Sequence, residues 1–202
     1  MNSARVVLAT HNAHKVRELR EILSQAGVDA SGVVSAAEIG TPDVREVGVT
    51  FAENALLKAR VVAEYSGLPA VADDSGLAVD VLGGSPGIFS ARWAGRHGDD
   101  GANLALLLAQ LADVPDEHRG AAFVCAVALV TADGSETLTE GVLRGTLLRE
   151  PVGEGGFGYD PILVPDGDTR SCAQLSAAEK NAISHRGKAF RVLAPAIADL
   201  LG

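Results

Sequence analysis

The segment VADDSGLAVDVLGGSPG, at residues 71–87, places two carboxylates directly after an apolar stretch. Residues 69–72 predict a short buried strand that ends at the first acid. Side chains that leave a strand in succession point to different sides, so Asp73 and Asp74 need not share one role. Their position suits a divalent cation, and the Asp-Ser-Gly sequence equally favours an Asx turn. The residues alone leave both interpretations open.

Helical and strand patterns alternate around this segment, with no internal repeat, low-complexity segment or linker. The patterns predict helices over residues 12–26, 50–67, 103–111 and 187–200, and strands over residues 5–9, 69–72, 77–82, 121–130, 136–144 and 161–164. Capping boxes are predicted at Thr50 with Glu53 and at Ser176 with Glu179. The Asp133-Gly134 pair favours a hairpin. Alternating elements with one hairpin predict an α/β fold with a mixed β-sheet.

The composition limits the classes of partner. The chain has 202 residues and a formal net charge of −9. An acidic chain has no general attraction for nucleic acid or for an anionic membrane, so neither partner is expected. Two cysteines are not a disulfide framework, and the N-terminus lacks the apolar stretch of a signal peptide. The longest apolar run, residues 121–130, is too short to span a bilayer. A cytoplasmic protein is expected.

The first candidate site is THNAHK, residues 10–15, between the first predicted strand and helix. A helix N-terminus presents free backbone N–H groups and the positive end of the helix dipole, which together favour an anion. Thr10 and Asn12 add side-chain donors, and Lys15 adds a positive charge. The alternative is an ordinary helix cap with Lys15 in solvent.

Three further segments carry residue types that suit a nucleotide. Glu46 becomes a metal ligand if the fold brings it near Asp74, and is otherwise a surface acid. The loop GEGGFGYDP, residues 153–161, combines glycines with an aromatic residue that can stack on a flat base. The segment KNAISHRGK, residues 180–188, is basic in an acidic chain. The alternative for the glycine-rich loop is a flexible turn, and the alternative for the basic segment is a solvated helix face.

Six motifs, in order, resemble the inosine triphosphate pyrophosphatase family. They are T-x-N-x-x-K, E-x-G-x-T-F-x-E-N-A, ADDSGL, LGGxPGIxSAR, GGFGYDP and SHRGxA, and the resemblance covers residues 6–193. It implies an elongated mixed β-sheet flanked by helices, with two lobes around a nucleotide-binding cleft, in a single domain over residues 1–202. It also implies a homodimer and Mg²⁺-dependent hydrolysis of noncanonical purine nucleoside triphosphates (ITP, dITP and XTP) to the monophosphate and pyrophosphate.

The resemblance further implies roles for individual residues. Glu46 and Asp74 would place the Mg²⁺ ion, and Asp74 would also activate the attacking water. The phosphates and sugar would contact Thr10, His11, Asn12, Ala13, His14, Lys15 and Ser75. The base would stack on Phe157 in a pocket that contains Gly158, Tyr159, Asp160, Lys180, His185 and Arg186.

His11 departs from the family pattern, which commonly has glycine after the threonine. We expect the backbone donors of the turn to survive, with a change in substrate affinity or pH dependence. Base choice is expected to depend on donors such as Arg186 that face the C6 oxygen of hypoxanthine or xanthine, because adenine presents a donor there. The alternative functions are a pyrophosphatase of other modified or standard nucleoside triphosphates and a non-catalytic nucleotide sensor.

Overall fold

The structure is a computed structural model that describes residues 5–201, apart from the side chains of Ala13 and His14. The strands are β1 (Val6–Leu8), β2 (Val33–Ser35), β3 (Ala70–Val79), β4 (Gly120–Val130), β5 (Glu136–Leu147) and β6 (Leu163–Pro165). The α-helices are α1 (Ala13–Gln25), α2 (Phe51–Ser66), α3 (Asp100–Gln110), α4 (Ala177–Ile183) and α5 (His185–Leu201).

The strands form one mixed sheet in the order β2-β1-β3-β4-β5-β6. Strand β1 is parallel to β2 and to β3, with Val7 opposite Ala70, whereas β5 is antiparallel to β6. Neighbouring strands β4 and β5 are joined by residues 131–135, where the Gly134 N–H donates to the Thr131 carbonyl at 2.9 Å. The predicted α/β fold with a mixed sheet is confirmed, and the predicted hairpin is present.

The chain forms two compact units. Among the described residues, the first unit contains residues 5–74, 125–141 and 186–201, and the second contains residues 75–124 and 142–185. Strands β3, β4 and β5 each supply residues to both units.

The first unit has helices on both faces of its strands. Helices α1 and α5 pack with Val71 of β3, and helix α2 packs with the next residue, Ala72. Successive strand residues face opposite sides, so this packing directs Asp73 towards α1 and α5 and Asp74 towards α2. The two faces of β3 therefore lead to two different sets of partners.

Helix α2 begins at the predicted cap. The Thr50 hydroxyl oxygen accepts from the Glu53 N–H at 3.1 Å. The Glu53 carboxylate accepts from the Val49 N–H at 2.7 Å, one residue before the donor that a complete capping box would use. The helix ends at Gly67, whose φ of 68° is a left-handed conformation that glycine adopts without a steric penalty. The second predicted capping box, at the start of α4, is complete.

The second unit has its own apolar core between α3 and the strands. This core includes Leu77, Val79, Leu107, Leu111, Phe123, Leu143, Leu147, Tyr159, Ile162 and Leu163. Buried Arg119 donates to the carbonyls of Leu111 at 2.7 Å, Leu147 at 2.9 Å and Leu148 at 2.8 Å. The guanidinium thus satisfies backbone acceptors at the end of α3 and at the end of β5.

Strand β3 corrects the prediction for the segment that contains the two acids. The sequence predicted a strand over residues 69–72 that ends at Asp73, and another over residues 77–82. The strand is instead continuous from Ala70 to Val79, and residues 80–82 form a 3-10 helix. The register with β1 covers Ala70 and Val71, and the longer strand β4 lies on the other side of β3. Pairing with β4 provides partners for the backbone of β3 and outweighs the turn preference of Asp-Ser-Gly.

Two smaller differences concern element ends. Strand β2 was not predicted, because three residues are too few for a periodic signal. Helix α5 begins at His185, two residues before the predicted start, directly after the C-cap of α4 at Ser184. No helix within the described residues is both long and apolar enough to cross a membrane.

Candidate active site

Glu46, Asn54, Lys58 and Asp74 form one group of polar side chains in the first unit, named here the Asp74 cluster. The Lys58 ammonium donates to Glu46 Oε1 at 2.7 Å and lies 3.4 Å from Asp74 Oδ1. The Asn54 amide donates to the other Asp74 oxygen at 3.1 Å. Asn54 and Lys58 are one turn apart on α2, so one face of this helix supplies both donors. The fold therefore brings the two predicted metal ligands to a shared cation.

The loop that carries Glu46 is held against the start of α2. The Gly48 N–H donates to the Asn54 side-chain oxygen at 2.8 Å. A Cβ at Gly48 would lie 2.7 Å from that same oxygen and 2.8 Å from the Glu53 Cβ. A side chain at residue 48 would thus push the loop away from the helix. This close approach keeps Glu46 within reach of Lys58.

Burial and neighbouring charges shift the acid–base properties of the Asp74 cluster. Burial raises the pKa of Asp74, and Glu46 adds to this effect, while Lys58 and Asn54 oppose it. Burial by itself would lower the pKa of Lys58, but Asp74, Asp73 and Glu46 outweigh it and raise that pKa. Lys58 is therefore a permanent cation, and Asp74 is a better proton acceptor than an ordinary aspartate.

Lys15, Glu18, Asp73 and Arg186 form a second group, named here the Asp73 network. Asp73 Oδ2 accepts from Lys15 Nζ at 3.0 Å and from Arg186 Nε at 3.2 Å. Arg186 Nη1 donates to Glu18 Oε2 at 2.6 Å. Opposite charges alternate along this network, which links α1, β3 and α5. The side chain of Lys15 is therefore held in place by an acid on the central strand.

The Asp73 network stays ionised although it is buried. Burial by itself would raise the pKa of Asp73, but Lys15, Arg186 and Lys58 outweigh it and bring that pKa far below its usual range. Burial would likewise lower the pKa of Arg186, and the charges of Asp73 and Glu18 reverse the effect. A buried ion pair of this kind costs much desolvation energy unless its partners are all present. The network is thus a mutually dependent set.

The predicted phosphate turn is a strand-to-helix connection, as expected. Thr10 Oγ1 accepts from the Asn12 N–H at 3.2 Å, and α1 begins at the next residue. His11 turns its ring towards Thr41 and Asp43, with Nε2 2.9 Å from the Thr41 carbonyl oxygen and Nδ1 3.0 Å from Asp43 Oδ1. The predicted substrate contacts of the Ala13 and His14 side chains lie outside the described residues.

The glycine-rich loop of the second unit presents an aromatic ring to solvent. Residues 153–160 are named here the Phe157 loop, and the Phe157 side chain in it is 59% exposed. The Lys180 ammonium lies 4.9 Å from the centre of this ring. Asp160 is buried and accepts from the Phe157 N–H at 2.7 Å and from Lys180 at 2.5 Å. Asp160 therefore positions the two residues whose exposed groups can meet a base.

The remaining predicted site residues have different degrees of exposure. Tyr159 is buried and donates to the Ser90 carbonyl at 2.9 Å, so it anchors the Phe157 loop. His185 is buried and stacks on Phe123, with 5.1 Å between ring centres. Ser75 is half-buried in β3, directly after Asp74. The base-edge roles of His185 and Arg186 stay predictions.

The Asp74 cluster has a donor set that fits a magnesium ion. Mg²⁺ is commonly held by one or two carboxylates, with waters and substrate phosphates as its other ligands. Glu46 and Asp74 supply two carboxylates, and the Lys58 ammonium between them shows that both can approach one positive charge. Within residues 5–201, no group of three or more histidine, cysteine or acidic residues could hold a metal ion. The cluster therefore suits a metal that shares its coordination with a ligand.

Asn54, Lys58 and Glu18 were not predicted as site residues. Asn54 and Lys58 lie beside the apolar stripe of α2, which includes buried Ala55 and Ala59. A polar pair at this spacing on a buried helix face is the signal that could have identified them, since buried polar groups need partners. Glu18 had no comparable signal, because its partner is 168 residues away in the sequence.

Comparison with known proteins gives a consistent family assignment. The family model described as the Ham1 family matches residues 6–196. A dITP/XTP pyrophosphatase of Streptomyces coelicolor is 67% identical over 98% of this chain and 99% of its own length. The crystal structure of a nucleoside-triphosphatase, or dITP/XTP pyrophosphatase, of Mycobacterium abscessus is 52% identical, with a TM-score of 0.78 over 95% of this chain and 99% of that chain.

A second solved structure, of a HAM1 protein from Coxiella burnetii, is 40% identical, with a TM-score of 0.88 over 96% of this chain and 98% of that chain. These matches span nearly the whole chain and confirm the resemblance drawn from the six sequence motifs. The chain belongs to the Ham1 family.

Proposed function

We propose that this chain hydrolyses noncanonical purine nucleoside triphosphates, such as dITP, ITP and XTP, to the nucleoside monophosphate and pyrophosphate. The names of the relatives from Streptomyces coelicolor and Mycobacterium abscessus support the reaction and its substrates. The observation that carries the proposal is the Asp74 cluster, where a carboxylate of raised pKa and a second carboxylate share one buried cation. This combination joins a base, a metal-binding pair and a phosphate-binding charge in one place.

In the proposed reaction, Asp74 accepts a proton from the water that attacks the α-phosphorus. The electron pair of the broken bond leaves with the β-phosphate oxygen, so pyrophosphate departs. Lys58 and Lys15 contribute positive charge to the triphosphate, and fixed charges of this kind stabilise the charge that develops in the transition state. The N-terminus of α1 adds the positive end of the helix dipole to the same task.

Magnesium is the proposed cofactor, and Glu46 and Asp74 are the residues that would hold it. When bound, Mg²⁺ lowers the pKa of a coordinated water and neutralises phosphate charge. Lys58 donates a hydrogen bond to Glu46 and lies 3.4 Å from Asp74. Binding of the metal would therefore require the Lys58 ammonium to move away from at least one of these carboxylates. The Asp73 network does not change its charge in this step, because its acid is paired with two cations.

Base recognition is proposed for the Phe157 loop and its neighbours. The exposed ring of Phe157 offers a stacking surface, and the Lys180 ammonium beside it is a hydrogen-bond donor. The C6 oxygen of hypoxanthine or xanthine is an acceptor, whereas the C6 amino group of adenine is a donor. A site that presents donors there can disfavour the wrong base by a factor of about 10⁴. Lys180, His185 and Arg186 are the proposed sources of such donors.

The cellular setting is proposed as a cytoplasmic homodimer. Cys125 and Cys172 are both free and buried, as expected in a reducing compartment. The pKa of each thiol is raised by burial, to about 12 for Cys172, so neither is a reactive thiolate at neutral pH. The dimer is carried over from the family resemblance, and light scattering on the purified protein tests it.

The reaction is tested by hydrolysis of ITP in water labelled with oxygen-18. Attack of water on the α-phosphorus places the label in the monophosphate, and mass spectrometry of both products measures it. We expect labelled IMP and unlabelled pyrophosphate. Release of IDP and phosphate, or label in pyrophosphate, would exclude the proposed bond cleavage.

A further inference from the structure

Asp100 joins α3 to the Phe157 loop through a single hydrogen bond. Its Oδ2 atom accepts from the Gly158 N–H at 2.9 Å, although the two residues are 58 positions apart in the sequence. Asp100 is exposed and lies in the first turn of α3. None of the six sequence motifs includes it. Its carboxylate therefore contacts the loop, although Asp100 is not among the site residues that the sequence identified.

The carboxylate of Asp100 is not needed to cap its own helix. The preceding residue, Asp99, is the N-cap of α3, and its side chain accepts from the Ala102 N–H at 3.1 Å. An acid in the first turn of a helix interacts favourably with the positive end of the helix dipole. Because Asp99 already caps α3, the Asp100 carboxylate is available for another contact. Asp100 uses its oxygen on the loop instead.

The Gly158 contact lies at the centre of the loop, beside the aromatic ring. Two successive backbone N–H groups are each held by a carboxylate: Phe157 by Asp160, and Gly158 by Asp100. Gly158 has a φ of 60°, so the chain reverses at this residue and directs its N–H towards α3. The next residue, Tyr159, is close enough to Asp100 for this charge to raise its pKa, in addition to the effect of burial. The Asp100 charge is thus part of the local environment of the loop.

The two carboxylates differ in exposure, and this difference separates their roles. Asp160 is buried and also pairs with Lys180, so its removal would disturb several contacts at once. Asp100 is exposed, and its Oδ2 contact in this loop is the single bond to Gly158. A hydrogen bond at such a position changes loop order rather than global stability.

We propose that Asp100 is a positioning residue for base binding: it holds the Gly158 N–H and thereby fixes the orientation of the Phe157 ring. This inference rests on the proposed function for the identity of the substrate. Asp100 acts through the loop and does not touch the reacting atoms. Loss of its bond is therefore expected to weaken substrate binding and to leave the chemical step unchanged.

The test uses three variants of the full-length protein. Asp100→Ala removes the acceptor, Asp100→Asn keeps an acceptor oxygen without the charge, and Asp113→Ala removes one exposed negative charge of the same unit outside the loop. We expect Asp100→Ala to raise the KM for dITP about fivefold, with kcat within about twofold, as the net contribution of one ordinary hydrogen bond at an exposed position predicts. Asp100→Asn should recover most of the affinity, and Asp113→Ala should match the unmodified protein.

Amide hydrogen exchange at Gly158 supplies a second readout that needs no substrate. We expect faster exchange at this amide in Asp100→Ala and unchanged exchange in Asp113→Ala. If exchange is faster but KM is unchanged, the bond exists and the positioning role is overturned. If exchange is unchanged, the bond itself is absent and the inference fails. If the unmodified protein hydrolyses no purine triphosphate, the proposed function fails, while the exchange result still decides whether Asp100 holds the loop.

Discussion

Asp73 and Asp74 are consecutive residues of β3, and their carboxylates have opposite environments. Asp73 Oδ2 accepts from Lys15 at 3.0 Å and from Arg186 at 3.2 Å, on the face covered by α1 and α5. Asp74 meets Lys58 and accepts from Asn54 at 3.1 Å, on the face covered by α2. The pKa is lowered for the first acid and raised for the second. This relationship separates a structural carboxylate from a chemical one.

Replacing Asp73 with asparagine should destabilise the protein at neutral pH. Its folded-state pKa is below the unfolded value, so the ionised form stabilises the fold above the ordinary aspartate pKa, and this contribution is lost as the pH falls through the folded pKa. We expect Asp73→Asn to cost about 3 kcal/mol at pH 7, because buried Arg186 and half-buried Lys15 lose the carboxylate that they share. Urea unfolding in EDTA measures this. The difference in unfolding free energy between the variant and the unmodified protein should become smaller below about pH 4. Equal unfolding free energies of the two proteins at pH 7 would contradict the structural role of Asp73.

The same change at Asp74 should have the opposite effect on stability. Its folded-state pKa is above the unfolded value, so its contribution is present below the ordinary aspartate pKa and is lost as the pH rises through the folded pKa. Asparagine mimics the protonated acid, so Asp74→Asn should unfold at higher urea than the unmodified protein at pH 7 in EDTA. The rate of hydrolysis should fall by about 10²–10⁴, as expected on removal of a general base. A less stable Asp74→Asn protein would refute the assigned pKa direction.

Replacing Lys58 with methionine should make the protein sensitive to magnesium in the absence of nucleotide. The change leaves Glu46 and Asp74 without their shared cation. Millimolar MgCl₂ should then raise the Tm by about 2–4 °C, equivalent to about 1 kcal/mol of binding, and should shift the unmodified protein less. Differential scanning calorimetry measures both. The double variant Glu46→Gln/Lys58→Met is the control. If MgCl₂ raises the Tm of the double variant as much as that of Lys58→Met, Glu46 is not a metal ligand.

Arg186→Ala should lower stability strongly, which changes how this variant is interpreted. The base-edge role expected of Arg186 would by itself predict a loss of turnover far larger than the loss of stability. Arg186 is instead buried between Asp73 and Glu18. Its removal leaves buried Asp73 with Lys15 and takes the counter-charge from half-buried Glu18, which should cost about 3 kcal/mol. Arg60→Ala, which breaks an exposed ion pair with Glu136, should leave the urea midpoint nearly unchanged. Similar urea midpoints for the two variants would contradict the network.

Phe157→Ala should weaken substrate binding without changing stability. The ring is 59% exposed, so its removal uncovers little core. Stacking of a base on an aromatic ring contributes about 1–3 kcal/mol, so the KM for dITP should rise about tenfold or more. Phe157→Trp keeps a stacking surface and is the matched variant, with an expected KM near that of the unmodified protein. If both variants bind dITP equally well, the base does not stack at residue 157.

The fold was predictable where the signal is local. The Thr50 and Ser176 caps, the hairpin and the periodic helices depend on near neighbours, and each is present. The course of β3 was not predictable, because its continuation through Asp73 depends on pairing with strands far away in the sequence. A turn-forming sequence becomes a strand when a neighbouring strand satisfies its backbone groups.

The sequence indicated which residue types form the candidate site, but it did not indicate which of these side chains contact each other. Glu46 and Asp74 came from the motifs, but the cation between them, Lys58, lies on a helix whose pattern indicates only packing. The sequence likewise gave no sign that Arg186 pairs with Glu18. No local pattern links two residues that meet only in the folded chain. Contacts between elements are the information that a single sequence lacks.

The most direct test of the central claim is pyrophosphate release by the purified protein with dITP, XTP, dATP and dGTP, with and without Mg²⁺, beside Asp74→Asn. We predict fast release from dITP and XTP, slow release from dATP and dGTP, and almost none without the metal or with the variant. Equal rates on all four nucleotides would contradict the proposed base selection. An undiminished rate in Asp74→Asn would contradict the assignment of Asp74 as the base.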